Sequence, residues 1–205
     1  MRCTQFFMTL QKSYKDLKIF LCDDILYDLN SVDNSKSYAH IYSDKNYDDF
    51  LYLTRHGIEI YREDDLINSS LIISGGGTSG IHETSSIIDN DRLLICCAHS
   101  VFCMTLPDLN LDWRTTVDSA TCFEIFKFKD NFIIHGELEI SKLDTRGNII
   151  WRFSGNDIFT TPTGRDAFRI VNEIIYATNW DNVTFELNAN TGQLINQETI
   201  KSKYY

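Results

Sequence analysis

A chain of 205 residues can bury about 70% of its unfolded surface, so one sizeable core is feasible without metals or disulfides. With 43% hydrophobic and 23% charged residues, 13% aromatics and only two prolines, the composition excludes disorder and points to β structure. The formal net charge of -10 repels phosphate backbones and anionic headgroups, which argues against nucleic-acid and membrane partners and for a basic protein partner.

The N-terminal run MRCTQFFMTLQKSYKDLK has no apolar stretch followed by a small-residue cleavage site, and no segment reaches the roughly 18 apolar residues of a membrane span. A cytoplasmic protein is expected. Its six cysteines are then read as reduced, mostly buried thiols rather than a disulfide framework. Residues 1–37 stay ambiguous, because Leu10, Tyr14, Leu17, Leu21 and Ile25 recur at helical spacing while the segments around Asp23-Asp24 equally suit a hairpin. The segment is either a helix packed on the blades or strands completing a blade that the C-terminus leaves unfinished.

From residue 38 a repeat is predicted. The second strand of each unit begins at Phe50, Leu93, Phe132 and Ile174, giving spacings of 43, 39 and 42 residues. A period near 40 with four short strands per unit is the signature of a propeller blade of the WD40-like kind. The units cover about 38–75, 84–118, 122–155 and 167–200. The first is predicted to hold the strands YAHIYS, FLYLTR, GIEIYRE and SSLIISG. The third, FEIFKFKDNFIIHGELEISKLDTRGNIIWRFSGND, is the most complete, with turn residues between four alternating or apolar runs. The expected fold is all-β: a four-bladed β-propeller-like array of four-stranded antiparallel sheets, residues 38–205, with an N-terminal extension.

The third unit contains Asp144-x-x-Gly147-x-x-x-Trp151, which resembles the blade signature of quinoprotein-type (PQQ-like) β-propeller repeats. That resemblance implies that Asp and Gly shape the turn between the outer strands and that Trp docks one blade on the next. The second unit keeps Trp113 without the Gly, the fourth keeps Thr191-Gly192 with Asn196 at the Trp position, and the first has Asp64-Asp65 and no Trp. The wording from IHETSSIIDNDRLLICCAHSVFC to HGELEISKLDTRGNIIWRFSG is also similar to small bacterial proteins with PQQ-like repeats, implying a bacterial origin but no activity. PQQ binding is not expected, and no cofactor is.

Propeller loops on one face usually form the binding surface. That arrangement places His56, His99, His135, Glu137, Trp180 and Asp181 in loops within blades, and His82 and Glu83 in a loop between blades. Four histidines then converge on one face, although their spacing matches no zinc pattern, so no metal ligands are assigned. Residues 75–80, GGGTSG, read as an inter-blade linker, since a phosphate loop needs GK[ST] and a following helix. Cys96-Cys97 sits in a buried-strand pattern and reads as core. No catalytic residues emerge. The main expectation is a non-catalytic protein that binds another protein through the loop face, for example an immunity-type inhibitor of a basic toxin. The alternative is a ligand- or metal-binding propeller, or an enzyme, using the histidines and glutamates.

Overall fold

The computed structural model describes residues 9–43, 53–164 and 167–199. Cys3 and the predicted strand start at Phe50 lie outside them. The first sheet contains β1 (Thr9–Tyr14), β2 (Leu17–Asp23), β3 (His40–Ser43), β4 (Leu53–Arg62) and β5 (Asp65–Gly75) in the spatial order β1-β2-β4-β5-β3. A 3-10 turn, Glu83–Ser85, leads into β6 (Ser86–Asp89), β7 (Arg92–Cys97), β8 (Ser100–Thr105) and β9 (Leu111–Thr116), the second sheet. The third is β10 (Cys122–Phe128), β11 (Asn131–Gly136), β12 (Glu139–Leu143) and β13 (Ile149–Ser154), and the fourth β14 (Phe168–Val171), β15 (Ile174–Thr178), β16 (Val183–Asn188) and β17 (Leu194–Thr199). In the last three, sequence order is spatial order, and every pairing is antiparallel. The protein is therefore an all-β, four-bladed propeller-like array.

Tight turns set these registers. The first hairpin of each blade turns at Lys15, Asn90, Lys129 or Asn172, each with φ between 48 and 55, the left-handed backbone that matches the strand twist.

Blade 1 departs from the sequence reading. Residues 9–23 form the β1–β2 hairpin and supply its first two strands, so the ambiguous segment is β structure inside the blade. The predicted strands FLYLTR and GIEIYRE are not separated by a turn at His56-Gly57, because β4 runs through both residues. Gly57 marks a close approach instead: a β-carbon there would lie 2.3 Å from the Tyr38 hydroxyl. The predicted strand YAHIYS becomes β3, an added strand pairing parallel with the outer edge of β5 at Ser70–Ile73.

Three apolar clusters fill the junctions between consecutive blades. Ile19, Ile58, Ile72 and Phe102 belong to the first, Cys96, Val101, Ile125 and Phe132 to the second, and Ile133, Ile140, Phe159 and Phe185 to the third. Among the described residues no such cluster joins blade 4 to blade 1.

Each junction is also locked at its outer side. Trp113 Nε1 donates to Thr145 O at 3.3 Å, and Trp151 Nε1 donates to Asn190 O at 3.2 Å. Each indole lies over a glycine of the next blade's outer turn. A β-carbon on Gly147 would fall 2.5 Å from Trp113 Cδ2, and one on Gly192 2.6 Å from Trp151 Cδ2. Trp113 and Trp151 thus reach across to the next blade, and Gly147 lies in the outer turn beneath Trp113. Asp144 Oδ1 accepts from the Arg146 and Asn148 amides, shaping that turn.

Blade 1 has its own version. Asn68 pairs with Ile60 just before the β4–β5 bulge, as Trp151 pairs with Lys142 just before the β12–β13 bulge. Its Nδ2 donates to Asp108 O at 2.7 Å, and Tyr42 of β3 donates to Leu109 O at 2.9 Å. Together the amide and the phenol replace an indole.

The two ends of the array differ from its interior. On the face of blade 1 away from blade 2, Lys36 pairs with Glu59 at 2.7 Å and Tyr38 donates to Asp24 at 2.6 Å, so segment 24–39 covers that face. Burial and the Asp24 carboxylate together push the Tyr38 hydroxyl well above its usual pKa. In blade 4 the register positions that carry Phe126, Ile133, Ile140, Trp151 and Phe153 in blade 3 are Arg169, Tyr176, Thr184, Asn196 and Glu198. That face of blade 4 is therefore more polar than the corresponding face of blade 3.

Gly147→Ala and Gly192→Ala should each lose about 1–3 kcal/mol more than Gly164→Ala in urea unfolding, because they add a clash with an indole to the backbone strain all three share. Gly164 has φ +65 but nothing within 4 Å of its β-carbon position.

Candidate functional site

The end of the array that carries the within-blade and between-blade loops is built by backbone hydrogen bonds. Gly77 donates to Ala120 O at 2.8 Å and Cys122 to Ala98 O at 2.7 Å, while Glu137 donates to Thr121 O and Phe159 to Glu137 O at 2.7 and 2.6 Å. Asp118, almost fully buried, is the hub. Its Oδ1 accepts from the Ala120 and Thr121 amides and its Oδ2 from the Leu138 and Glu139 amides, tying the blade 2–3 linker to the β11–β12 hairpin.

The four loop histidines do not meet. His56 is fully buried within β4. Its Nδ1 lies 2.8 Å from Asp23 Oδ1, without the alignment of a hydrogen bond, and its Nε2 has no partner. His99 occupies the β7–β8 turn, nearly buried, and that burial lowers its pKa although Asp118 acts in the opposite direction. Among the described residues no three His, Cys, Asp or Glu side chains form a group able to hold a metal ion.

His82 and His135 do belong to one hydrogen-bond chain, through two residues the sequence reading passed over. Thr84 Oγ1 donates to Glu124 Oε1 at 2.7 Å and lies 3.2 Å from His82 Nδ1. Glu124 Oε2 is 2.8 Å from His135 Nδ1, and His135 Nε2 is 2.8 Å from Phe159 O. Its two ring nitrogens thus face a carboxylate oxygen and a backbone carbonyl oxygen. The ring also stacks on Phe168 at 4.7 Å. His135 thereby pins blade 3 to the linker and first strand of blade 4. Burial of Glu124 opposes ionisation, but the His135 and Thr84 hydrogen bonds outweigh it and hold the carboxyl below its ordinary pKa.

Glu124 was legible in principle. The two-residue turn at Lys129-Asp130 pairs Phe128 with Asn131, and counting back along both strands places Glu124 opposite His135. Glu83, by contrast, is exposed and loosely paired with Lys12 at 3.6 Å. Within and just after GGGTSG, the Gly77, Ser79 and Ile81 amides donate to Ala120 O, Thr54 Oγ1 and Asp23. Cys96 packs toward blade 3 and Cys97 toward blade 1, on opposite faces of β7, so both are core residues. Burial, with Cys122 beside Cys96, pushes both thiols up.

What remains outward on this end is the β15–β16 loop. Asn179 is fully buried, its Nδ2 donating to Asn156 Oδ1 and its Oδ1 accepting from the Val183 amide, both at 2.9 Å. The next residue, Trp180, is held by its amide to Ile158 O at 2.9 Å yet leaves 47% of its surface exposed, with Asp181 exposed beside it. Exposed Leu138 and half-buried Glu137 stand on the neighbouring β11–β12 loop.

The topology and these loops define a β-propeller-type scaffold. No family model matches the chain, and no curated protein is similar to it. Among solved structures, it is similar to the computationally designed Ika8 protein, with TM-score 0.50 and 8% identity over 92% of this chain and 60% of that one. It is also similar to the CNH domain of AfRom2, with TM-score 0.48 and 12% identity over 95% of this chain and 54% of that one. The third is BamB from Moraxella catarrhalis, a PQQ-like propeller, with TM-score 0.43 and 13% identity over 70% of this chain and 42% of that one. The chain thus spans about half the length of the structures it matches. These likenesses concern fold alone. Among the described residues no helix is long and apolar enough to cross a membrane.

The depressed Glu124 pKa makes a signed prediction. A carboxylate held below its ordinary value contributes stability above that value, 4.5, and loses it as pH falls further. Glu124→Gln should therefore cost about 1–3 kcal/mol in urea unfolding at pH 7, and the gap to the wild type should narrow below pH 4.5.

Proposed function

We propose that this protein is a non-catalytic, cytoplasmic interaction protein that binds a basic protein partner through its loop face. The observation that carries the reading is Trp180: a large aromatic whose backbone amide is tied to Ile158 O, half exposed, and next to the exposed Asp181. Pre-organised exposed aromatics anchor interfaces, and the net charge of -10 favours encounter with a cationic surface. An immunity-type inhibitor of a basic toxin is one concrete form. The repeats are of the PQQ-like kind, on the strength of Asp144, Gly147 and Trp151, and the origin is bacterial. The buried thiols of Cys96, Cys97, Cys103 and Cys122 suit a reducing compartment. The ligand- or metal-binding alternative draws no support from His56 or His135, which are enclosed, His135 being committed to Glu124 and Phe159.

The test is native mass spectrometry on protein isolated at low salt from its own cells. A protein adduct is expected that weakens as salt rises and is lost in Trp180→Ala. A small-molecule or metal-sized increment, or an adduct indifferent to both salt and Trp180, would contradict the reading.

A further inference from the structure

Three lysines of this protein place their ammonium group between an aromatic ring and a carboxylate. Lys15 Nζ lies 4.7 Å from the centre of the Tyr14 ring and 3.0 Å from Asp91 Oδ1. Lys127 Nζ lies 4.5 Å from the Phe132 ring centre and 2.8 Å from Asp89 Oδ1. Lys129 Nζ lies 5.3 Å from the Phe128 ring centre and 2.6 Å from Glu173 Oε1. The negative ring face and the carboxylate both attract the cation, and the lysine stem lies along apolar surface.

At Trp180 the chain supplies the ring and the carboxylates but not the cation. Tryptophan is the ring that attracts cations best, and among the described residues no lysine or arginine lies over it. Asp181 follows it, and Glu137 and Asp157 stand on the two neighbouring loops. The three loops are tied side by side, because the Trp180 amide donates to Ile158 O and the Phe159 amide to Glu137 O. No described basic side chain pairs with any of the three carboxylates, and residues 136–138, 155–164 and 179–183 contain no lysine, arginine or histidine. The β15–β16 loop is also set before anything binds. Asn179 donates to Val183 O and Asn182 to Asn179 O, both at 3.0 Å, and the Val183 amide donates to Asn179 Oδ1.

We propose that a lysine side chain of the protein partner docks here, its ammonium on the Trp180 ring and within ion-pair reach of Asp181, with Glu137 and Asp157 adding to the local negative field. This deepens the loop-face reading and rests on it for the existence of a partner, but the lysine site itself is open to measurement on this protein alone.

The probe is an acetylated, amidated peptide, Gly-Lys-Gly-Lys-Gly, compared with the same peptide acetylated at both ε-amines, which keeps the stems and removes the charges. In heteronuclear NMR the lysine peptide should shift the Trp180 indole resonance, assigned by its loss in Trp180→Phe, together with the amides of residues 137–138, 157–158 and 180–182. The ε-acetylated peptide should bind about fivefold more weakly or worse. Trp180→Leu, which keeps apolar bulk and removes the ring, and Asp181→Asn should each weaken binding about threefold. Asp181 is exposed, so its variant reads the site even where Trp180→Leu disturbs the loop. Asp130→Asn makes the same charge change at an exposed turn at the far end of β11 from Glu137 and should leave binding unchanged. No binding, equal binding of the two peptides, shifts confined to other loops, or equal losses in Asp181→Asn and Asp130→Asn would each overturn the lysine site. Failure of the loop-face reading looks different: no protein adduct forms in native mass spectrometry while the lysine peptide still titrates Trp180.

Discussion

The whole array depends on one contact type, in which a side-chain N–H from the outer strand of a blade donates to a carbonyl in the outer turn of the next. A lone four-stranded sheet has two apolar faces and cannot bury both. Stacking solves this only if successive sheets keep a fixed offset. The apolar clusters supply attraction without direction. The N–H to carbonyl bond supplies direction, because Trp113, Trp151 and Asn68 each reach one turn of defined shape. The turn must in turn lie flat beneath the side chain, hence the left-handed glycines at 147 and 192.

The same rule accounts for the ends. Asn196 occupies the docking position of blade 4 and is exposed, on a face rewritten from aromatic and aliphatic to polar. Blade 1 covers its own free face with the segment that separates its second and third strands. The loop end, where Trp180 stands, is the surface on which the proposed partner would dock. The buried polar groups of the loop end, Asp118 and the Glu124–His135 pair above all, serve to hold that surface rigid.

Blades 2, 3 and 4 were legible in the sequence because each is a continuous meander whose turns fall between alternating runs. Blade 1 was not, because residues 24–52 interrupt it between its second and third strands and displace the hairpin toward the N-terminus. A window centred on residue 56 then sees a glycine between two apolar runs and reads a turn, whereas the glycine exists to admit Tyr38. The tryptophan docking was legible through Trp113 and Trp151. Asn68 was not, since an amide in place of an indole leaves no compositional trace. The loop assignments of His56 and His135 failed for one reason: each lies in a strand, one residue before a glycine that resembles a turn.

Asn68 and Asn196 offer the most direct test, being the same residue at the same register position, one docked on the next blade's turn and one exposed. Urea unfolding of Asn68→Ala and Asn196→Ala should show a loss of about 1–2 kcal/mol for the first, which strips a hydrogen bond from a junction, and no measurable change for the second. Equal losses, or a larger loss at Asn196, would contradict the claim that docking of each outer strand on the next blade's turn holds the array together.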